Sequence, residues 1–440
     1  MTQRPRLSVI GTGYLGATHA VCMVELGYEV IGLDVDADRI ETLRAGRIPF
    51  FEPGLPELLA KHIDSGRLRF TTDYAEAAEF ADVHFVCVGT PQKEGQYAAD
   101  LSYLWTAFRS LAPRLDRKVL VVGKSTVPAG TAAQLAELLA EHAPHPEVEL
   151  AWNPEFLREG FAVEDTLRPD RLVFGVRSEW AEQTLRSAYA PVIDTGAPVI
   201  VTDFATAELV KVAANSFLAT KISFINAMAE VCEATGADVT QLADAIGHDV
   251  RIGRRFLNAG LGFGGGCLPK DIRAFIARAE ELGVDQAVSF LRDVDEINQR
   301  RRARTVELGL DLLDGSYRGT RVAILGAAFK PNSDDVRDSP ALDVAAAVGR
   351  RGASVLVFDP EANASAQRLH PELDYAASLE EAVEQADLIM LLTEWSIFRA
   401  MDPHAIGARV VQRNVVDGRN VLDPVQWRAA GWTYRALGRP

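Results

Sequence analysis

From its first residues the chain alternates short apolar runs with longer stretches of helical periodicity. Arg6 to Ile10 reads as a strand and passes at once into Gly11-Thr12-Gly13-Tyr14-Leu15-Gly16. A helical pattern follows and ends near Leu26, where Gly27 is placed as a C-cap. Glu29 to Leu33 is a second strand ending on Asp34, and Val83 to Val88, Val119 to Gly123 and Val148 to Trp152 are strand-like in turn. Strands separated by helices in this way predict a parallel, doubly wound sheet.

The middle of the chain changes period. A long helix is predicted from about Asp203 through Glu208, Lys211, Asn215 and Phe224 toward Cys232, and a second from about Val284 to Leu313. Between them lies Leu261-Gly262-Phe263-Gly264-Gly265-Gly266-Cys267, and no strand alternation is visible here. Strands return at Arg321 to Leu325, Gly352 to Asp359, Leu388 to Leu392 and Val410 to Val411. A polar insertion, Lys330 to Ser339, precedes a helix from Pro340 to Arg351. The interval from Gly352 to Asp359 equals that from Gly27 to Asp34, so the last third repeats strand, helix, strand ending in Asp. The second copy lacks GxGxxG and is expected to bind a different ligand or none.

Composition narrows the class. At about 150 residues per domain the chain predicts roughly three domains. Its 48% apolar and 24% charged content excludes a disordered or collagen-like chain. No run approaches the ~18 apolar residues of a membrane span, and Met-Thr-Gln-Arg-Pro-Arg leads into a strand without a signal-type apolar region. A net charge of −15 argues against nucleic acid and anionic membrane as partners. Cys22, Cys87, Cys232 and Cys267 form no CxxC pair, which predicts neither a zinc site nor a disulfide framework, and a cytoplasmic location. No metal site is expected.

The chemistry starts at the glycines. GxGxxG follows a strand, opens a helix, and precedes Asp34 by 23 positions from Gly11. Gly11 would turn, Gly13 admit a pyrophosphate, and Gly16 let helix and strand pack; Asp34 would accept from ribose hydroxyls, which favours NAD over NADP. The alternative is a glycine turn beside a surface aspartate. Val88-Gly89-Thr90-Pro91 lies on the same sheet edge, or is an ordinary turn. Cys267 precedes a helix start at Leu268-Pro269-Lys270-Asp271, where a thiol pKa falls and a nucleophile becomes available. A small buried hydrophobe is the other reading, and is assigned to the remaining cysteines. Lys211 and Asn215, four apart on one helix face, suit an oxyanion or, with Glu208, a solvated stripe. Glu155 ends a strand within Asn153-Pro154-Glu155-Phe156-Leu157-Arg158-Glu159-Gly160 and is either a crevice or a surface carboxylate. Lys330, Arg337 and Arg419 lie where the second sheet would expose its ligand edge.

Assembled in order, GTGYLG, VGTP, KSTVP, NPEFLREG, KVAANSFLATKISFIN, GFGGGCLPKD, GAAFKPNSDDVRDSP, LLTEW and VVDGRN are similar to the UDP-glucose/GDP-mannose dehydrogenase family, from Gly11 to Asn420. GFAVEDTLRPDR and ATKISFINAMAE resemble its UDP-glucose branch, while Gly266 stands where a serine is common. The resemblance implies an α/β fold of two Rossmann-like doubly wound parallel-sheet domains joined by a central helical domain, divided at 1–202, 203–313 and 314–440. It implies oxidation of UDP-glucose to UDP-glucuronate with two NAD, through a thiohemiacetal and a thioester on Cys267. Lys211 and Asn215 would stabilise charge on the sugar oxygen. Asp271 and Thr126 would handle water or protons, and Glu155 would serve in hydrolysis. Gly11, Tyr14, Leu15, Asp34, Arg39, Thr90, Thr126, Lys270 and Arg337 match NAD contacts. Phe156, Leu157, Arg158, Lys211, Asn215, Arg251, Phe256, Gly264, Lys330 and Arg419 match contacts to the UDP-sugar. A homodimer through the central helices is implied, with Arg251 reaching the neighbouring subunit. The competing readings are a relative acting on GDP-mannose or UDP-N-acetylmannosamine, a two-electron hydroxyacid-type dehydrogenase, and a non-catalytic NAD-binding module.

Overall fold

The computed structural model describes residues 4–440. They form two compact units, one of residues up to 214 with Arg273–Gly283 and one of Asn215–Ile272 with Val284–Pro440.

The strands of the first unit are β1 (Leu7–Ile10), β2 (Val30–Leu33), β3 (Leu68–Thr71), β4 (Val83–Val86), β5 (Leu120–Gly123), β6 (Glu149–Trp152), β7 (Leu172–Gly175) and β8 (Val199–Thr202). They make one sheet in the order β3-β2-β1-β4-β5-β6-β7-β8, parallel except where β6 meets β7 at Trp152 and Gly175. Strands β1, β2, β4 and β5 are buried at every position, because a parallel sheet is covered on both faces and needs apolar residues throughout. Their side chains divide with the strand period of two: Leu7, Val9 and Phe85 join one buried cluster, Ile10, Val86 and Val121 the other. Two polar residues within these strands satisfy each other, Ser8 Oγ lying 2.7 Å from His84 Nδ1.

The strands of the second unit are β9 (Arg321–Leu325), β10 (Ser354–Phe358), β11 (Asp374–Tyr375), β12 (Leu388–Leu391), β13 (Asn414–Asp417) and β14 (Thr433–Ala436). Their order, β11-β10-β9-β12-β13-β14, repeats that of the first six strands. The fold is therefore α/β, with two Rossmann-like sheets and a helical region between them in sequence. Helices Phe204–Thr235, Val239–Gly247, Leu268–Glu281 and Phe290–Leu312 supply that region. No helix among the described residues is long and apolar enough to cross a membrane.

Two expected elements are corrected. Val410–Val411 is not a strand: it is irregular chain whose Val411 N–H makes one bond to the distant Ala386 O at 2.9 Å, and the ladder begins at Asn414. The helix expected from Val284 starts instead with a 3-10 turn, Asp285–Val288, before the α-helix from Phe290. Val284, at φ −123° and ψ 28° after the left-handed Gly283, lies outside the α region, so the chain does not begin an α-turn there.

Candidate active site

In the first unit the predicted residues follow the carboxyl ends of strands, the edge where a doubly wound sheet holds its ligand. Leaving β1, Gly11 takes φ +87° and its N–H bonds Leu33 O at 2.7 Å. A Cβ on Gly16 would lie 1.8 Å from Gly11 O, so only glycine lets the Tyr14–Glu25 helix start this close to the strand. Gly13 differs: an added Cβ would meet nothing within 4 Å. Asp34 Oδ2 accepts from the Thr12 N–H at 2.7 Å and from Arg39 Nη1 at 3.0 Å. The carboxylate thus straps the glycine turn to β2. Leu15 packs against the core beside it, and Tyr14 donates to the buried carboxylate of Glu52. The loops after β4 and β5 are tied together, Thr90 Oγ1 donating to Thr126 O at 2.8 Å.

The loop after β6 gathers a second group. Glu155 Oε1 accepts from Lys211 Nζ at 2.9 Å and Oε2 from the Leu157 N–H at 2.5 Å. The Lys211 ammonium also lies 5.6 Å from the centroid of the Phe156 ring. Lys211, Asn215 and Glu208 are all buried, so they are not a solvated stripe. Glu208 instead accepts from the Gly130 and Ala132 N–H groups at 2.7 and 2.6 Å, and burial pushes its carboxyl pKa up. Arg158 turns aside to a fork with Asp165 at 2.6 and 2.9 Å, which holds its own pKa above the usual range.

In the second unit Cys267 is exposed and stands immediately before the Leu268–Glu281 helix, its carbonyl accepting from the Asp271 N–H at 2.9 Å. Asp271 is buried; Asn215 Nδ2 donates to its Oδ2 and Lys270 Nζ to its Oδ1, each at 2.6 Å. Before the thiol, a neighbouring loop demands Gly264 with its backbone and crowds Gly266 only with a side-chain end. A Cβ on Gly264 would lie 2.2 Å from Asp338 O, and one on Gly266 2.3 Å from Arg337 Cζ. Arg337 forks onto Asp335 at 2.7 and 2.9 Å, and Lys330 Nζ lies 5.3 Å from the Phe329 ring centroid. Arg419 is turned inward: it donates to Leu392 O, Gly262 O and Phe329 O at 2.8, 2.9 and 3.2 Å, and burial lowers its pKa. Phe256 takes a left-handed φ of +66°, while Arg251 is highly exposed and pairs with Asp249 at 2.6 Å.

Family models match the chain along nearly its whole length. The NAD binding domain of the UDP-glucose/GDP-mannose dehydrogenase family matches residues 5–193, its central domain 205–300 and its UDP binding domain 323–424. The chain is 40% identical to the UDP-glucose 6-dehydrogenase of Rhizobium meliloti over 437 residues, 99% of this chain and 100% of that one. It is 41% identical to the enzyme of that name from Pseudomonas aeruginosa, over 99% and 98% of the two chains. The solved UDP-glucose dehydrogenase of Pyrobaculum islandicum superposes with a TM-score of 0.92 at 40% identity, covering 100% of this chain and 99% of that one.

The chain belongs to the UDP-glucose/GDP-mannose dehydrogenase family. Like the family, it is an NAD-dependent oxidoreductase. The residues present fit the cofactor: the space at Gly13 leaves room for a pyrophosphate over the first helix N-terminus. Among the described residues Asp34 Oδ1 accepts only from the Asp36 N–H, at 3.1 Å, and keeps capacity for a ribose hydroxyl.

Sequence reasoning missed several supports of this dehydrogenase. Asn298 forms a two-bond amide clamp with Phe263, N–H to Oδ1 at 2.7 Å and Nδ2 to O at 2.9 Å, and Arg302 reaches the same carbonyl at 3.2 Å. They are four apart on the Phe290–Leu312 helix, the spacing that flagged Lys211 and Asn215. The arginine run around them masked the signal. Glu52, between Phe50-Phe51 and Pro53-Gly54, carried no local signal at all.

Proposed function

We propose that this chain oxidises UDP-glucose to UDP-glucuronate in four electrons, through a covalent adduct on Cys267. One observation carries the reading: an exposed thiol at a helix N-terminus, one turn from a buried Asp271 bonded to both Asn215 and Lys270. Unpaired N–H groups and the helix dipole favour the thiolate there. NAD, when bound, supplies a hydride acceptor at each of two steps. The C6 hydroxyl gives up its proton and the C6 carbon gives up a hydride to the bound acceptor, leaving an aldehyde, with Lys211 and the Asn215 amide stabilising charge on the oxygen. Cys267 Sγ adds as thiolate to the aldehyde carbon while the oxygen takes up a proton, and the thiohemiacetal then loses that hydroxyl proton and a second hydride from its carbon to become a thioester. Water then cleaves the C–S bond, releasing the carboxylate and restoring the thiol. Asp271 and Thr126 hold the water or move its protons, and Glu155 serves in this hydrolysis.

In the same reading Gly11, Gly13, Tyr14, Leu15, Gly16, Asp34, Arg39, Thr90, Lys270 and Arg337 contact NAD. Phe156, Leu157, Arg158, Arg251, Phe256, Gly264, Lys330 and Arg419 contact the UDP-sugar, Arg419 while also holding the glycine loop. The domain limits are 1–202, 203–313 and 314–440. A homodimer through the central helices is supported by Phe217, Phe224 and Val231, exposed at seven-residue spacing on one helix. The location is cytoplasmic, in keeping with free, buried Cys22, Cys87 and Cys232.

The test is purified chain with NAD and, in turn, UDP-glucose, GDP-mannose and UDP-N-acetylmannosamine, followed by NADH absorbance. UDP-glucose should yield two NADH per sugar; one NADH per sugar would point to two-electron chemistry instead. Cys267→Ser should abolish net acid formation and leave NAD binding intact. Near-normal glucuronate from that variant would remove the covalent step.

A further inference from the structure

The segment from Asn153 to Gly160 carries Glu155 between β6 and the Ala162–Leu167 helix. A buried ion meets each end of it. Lys124, directly after β5, is 6% exposed, and its Nζ donates to Asn153 Oδ1 at 2.9 Å, Asn153 O at 3.4 Å and the Tyr189 hydroxyl at 3.2 Å. The Tyr189 hydroxyl donates in turn to the same Oδ1 at 2.7 Å. The remaining groups of Asn153 are fixed by Gly123 O at 2.8 Å and Val173 O at 3.0 Å. At the other end Glu52, 2% exposed, accepts from the Gly160 N–H and the Ala162 N–H, both at 2.7 Å, and from the Tyr14 hydroxyl.

Neither ion has a counter-ion bonded to it among the described residues. Burying a charge without one is costly, and a neutral side chain would fill either space at less expense. Burial pushes the Lys124 pKa down to about 8, and Glu155 and Lys211 both lie within electrostatic reach of it. The cation therefore feels the Lys211–Glu155 ion pair, and two of its bonds go to the residue two positions before Glu155.

We propose that Lys124 and Glu52 are positioning residues that hold the 153–160 loop at its two ends, Lys124 keeping Glu155 in place against Lys211. The consequence for turnover rests on the proposed function; the anchoring itself does not.

Two measurements on the full-length protein test this. Hydrogen exchange read by mass spectrometry needs no substrate. Lys124→Met should speed exchange at residues 155–157 by about tenfold or more and Glu52→Gln should do so at 160–165, with β1, β2 and β4 unchanged. Tyr189→Phe, which keeps the ring and removes one bond to Asn153, should give a smaller increase at 155–157. Unchanged exchange in the loop of Tyr189→Phe and of the folded Lys124 variant would overturn the proposal. Steady-state kinetics then test the link to chemistry. Lys124→Gln should lower kcat by about 10- to 100-fold with KM for NAD within about twofold, and should have no further effect in a Glu155→Gln background. Equal, independent losses in both backgrounds would make Lys124 merely structural. Failure of the unaltered protein to oxidise any of the nucleotide sugars counts against the proposed function alone, and the exchange result still decides the anchoring.

Discussion

The two Rossmann-like sheets share a strand order, a turn glycine and an aspartate at the end of the second strand, yet they use the aspartate differently. Gly11 and Gly326 both take positive φ, +87° and +111°, where the chain leaves its first strand. Asp34 and Asp359 both accept from the backbone N–H that follows, Thr12 at 2.7 Å and Ala327 at 2.8 Å. So far the motif is a fold device: a sharp turn strapped by a carboxylate. The difference lies in what else reaches the carboxylate. Asp359 also accepts from Ala328 N–H, Trp395 Nε1, and the Glu361 and Ala362 N–H groups at 2.9–3.0 Å. Among the described residues Asp34 has one backbone partner on Oδ1 and, on Oδ2, the part-exposed Arg39 beside Thr12. Half of a dinucleotide fingerprint is therefore structural, and the ligand-specific half is what remains uncommitted.

The largest expected effect breaks the sealed copy. Asp359→Ala orphans several buried donors at once and should cost about 3–5 kcal/mol of stability, seen as an early unfolding transition of the second unit in denaturant. Asp34→Ala should cost only about 1–2 kcal/mol by the same measure. Similar losses at the two positions would dissolve the contrast.

Asp34→Ala should instead be felt by the cofactor. Losing the proposed charge-assisted bond to a ribose hydroxyl should weaken NAD binding about 30- to 100-fold, or 2–3 kcal/mol, in a calorimetric titration. The same change at Asp359 should leave NAD affinity within about threefold in protein that remains folded.

Acid should separate the units next. His84 is fully buried in β4 and burial pushes its pKa down to about 3; His19 is displaced the same way. No histidine of the second unit is buried among the described residues. Above about 6.5 the ring is neutral folded or unfolded, and its contribution is fully present. As pH falls from there toward 3, only the unfolded chain takes up the proton, so stability falls by about 1.4 kcal/mol per pH unit for this one group. Hydrogen exchange at pH 5 and pH 7 should show β1 and β4 losing protection before β9 and β12, and His84→Leu should flatten the slope. Equal loss in both sheets would assign the acid sensitivity elsewhere.

The duplication itself was legible because it is written in periodicity and glycine placement: Gly27 to Asp34 and Gly352 to Asp359 mark equivalent strands without any knowledge of contacts. The place of Cys267 before a helix was legible for a similar reason, since a helix start after a glycine run is local information. Arg419 shows the limit. Its position on the second sheet's ligand edge was readable, but its guanidinium spans carbonyls from Gly262, Phe329 and Leu392, and no local pattern encodes a bond 157 positions away. Lys124 and Glu52 were hidden likewise, because ions whose partners are backbone groups, tyrosine hydroxyls and one asparagine leave no pairing charge in the sequence.

The smallest effect sharpens the comparison most. Gly13 has φ −68° and ψ −163°, which any residue adopts, and no atom lies within 4 Å of where its Cβ would be. Alanine should therefore fold there with a stability change within about 0.5 kcal/mol. The added methyl would occupy the approach of the pyrophosphate to the helix N-terminus, so NAD binding should weaken by about fivefold, ~1 kcal/mol. Gly16→Ala is the control, because its Cβ would collide with Gly11 O and the loss should appear in stability first. If Gly13→Ala bound NAD as tightly as the unaltered chain, the open space at that position would not be the cofactor's, and the distinction between the two copies would rest on Asp34 alone.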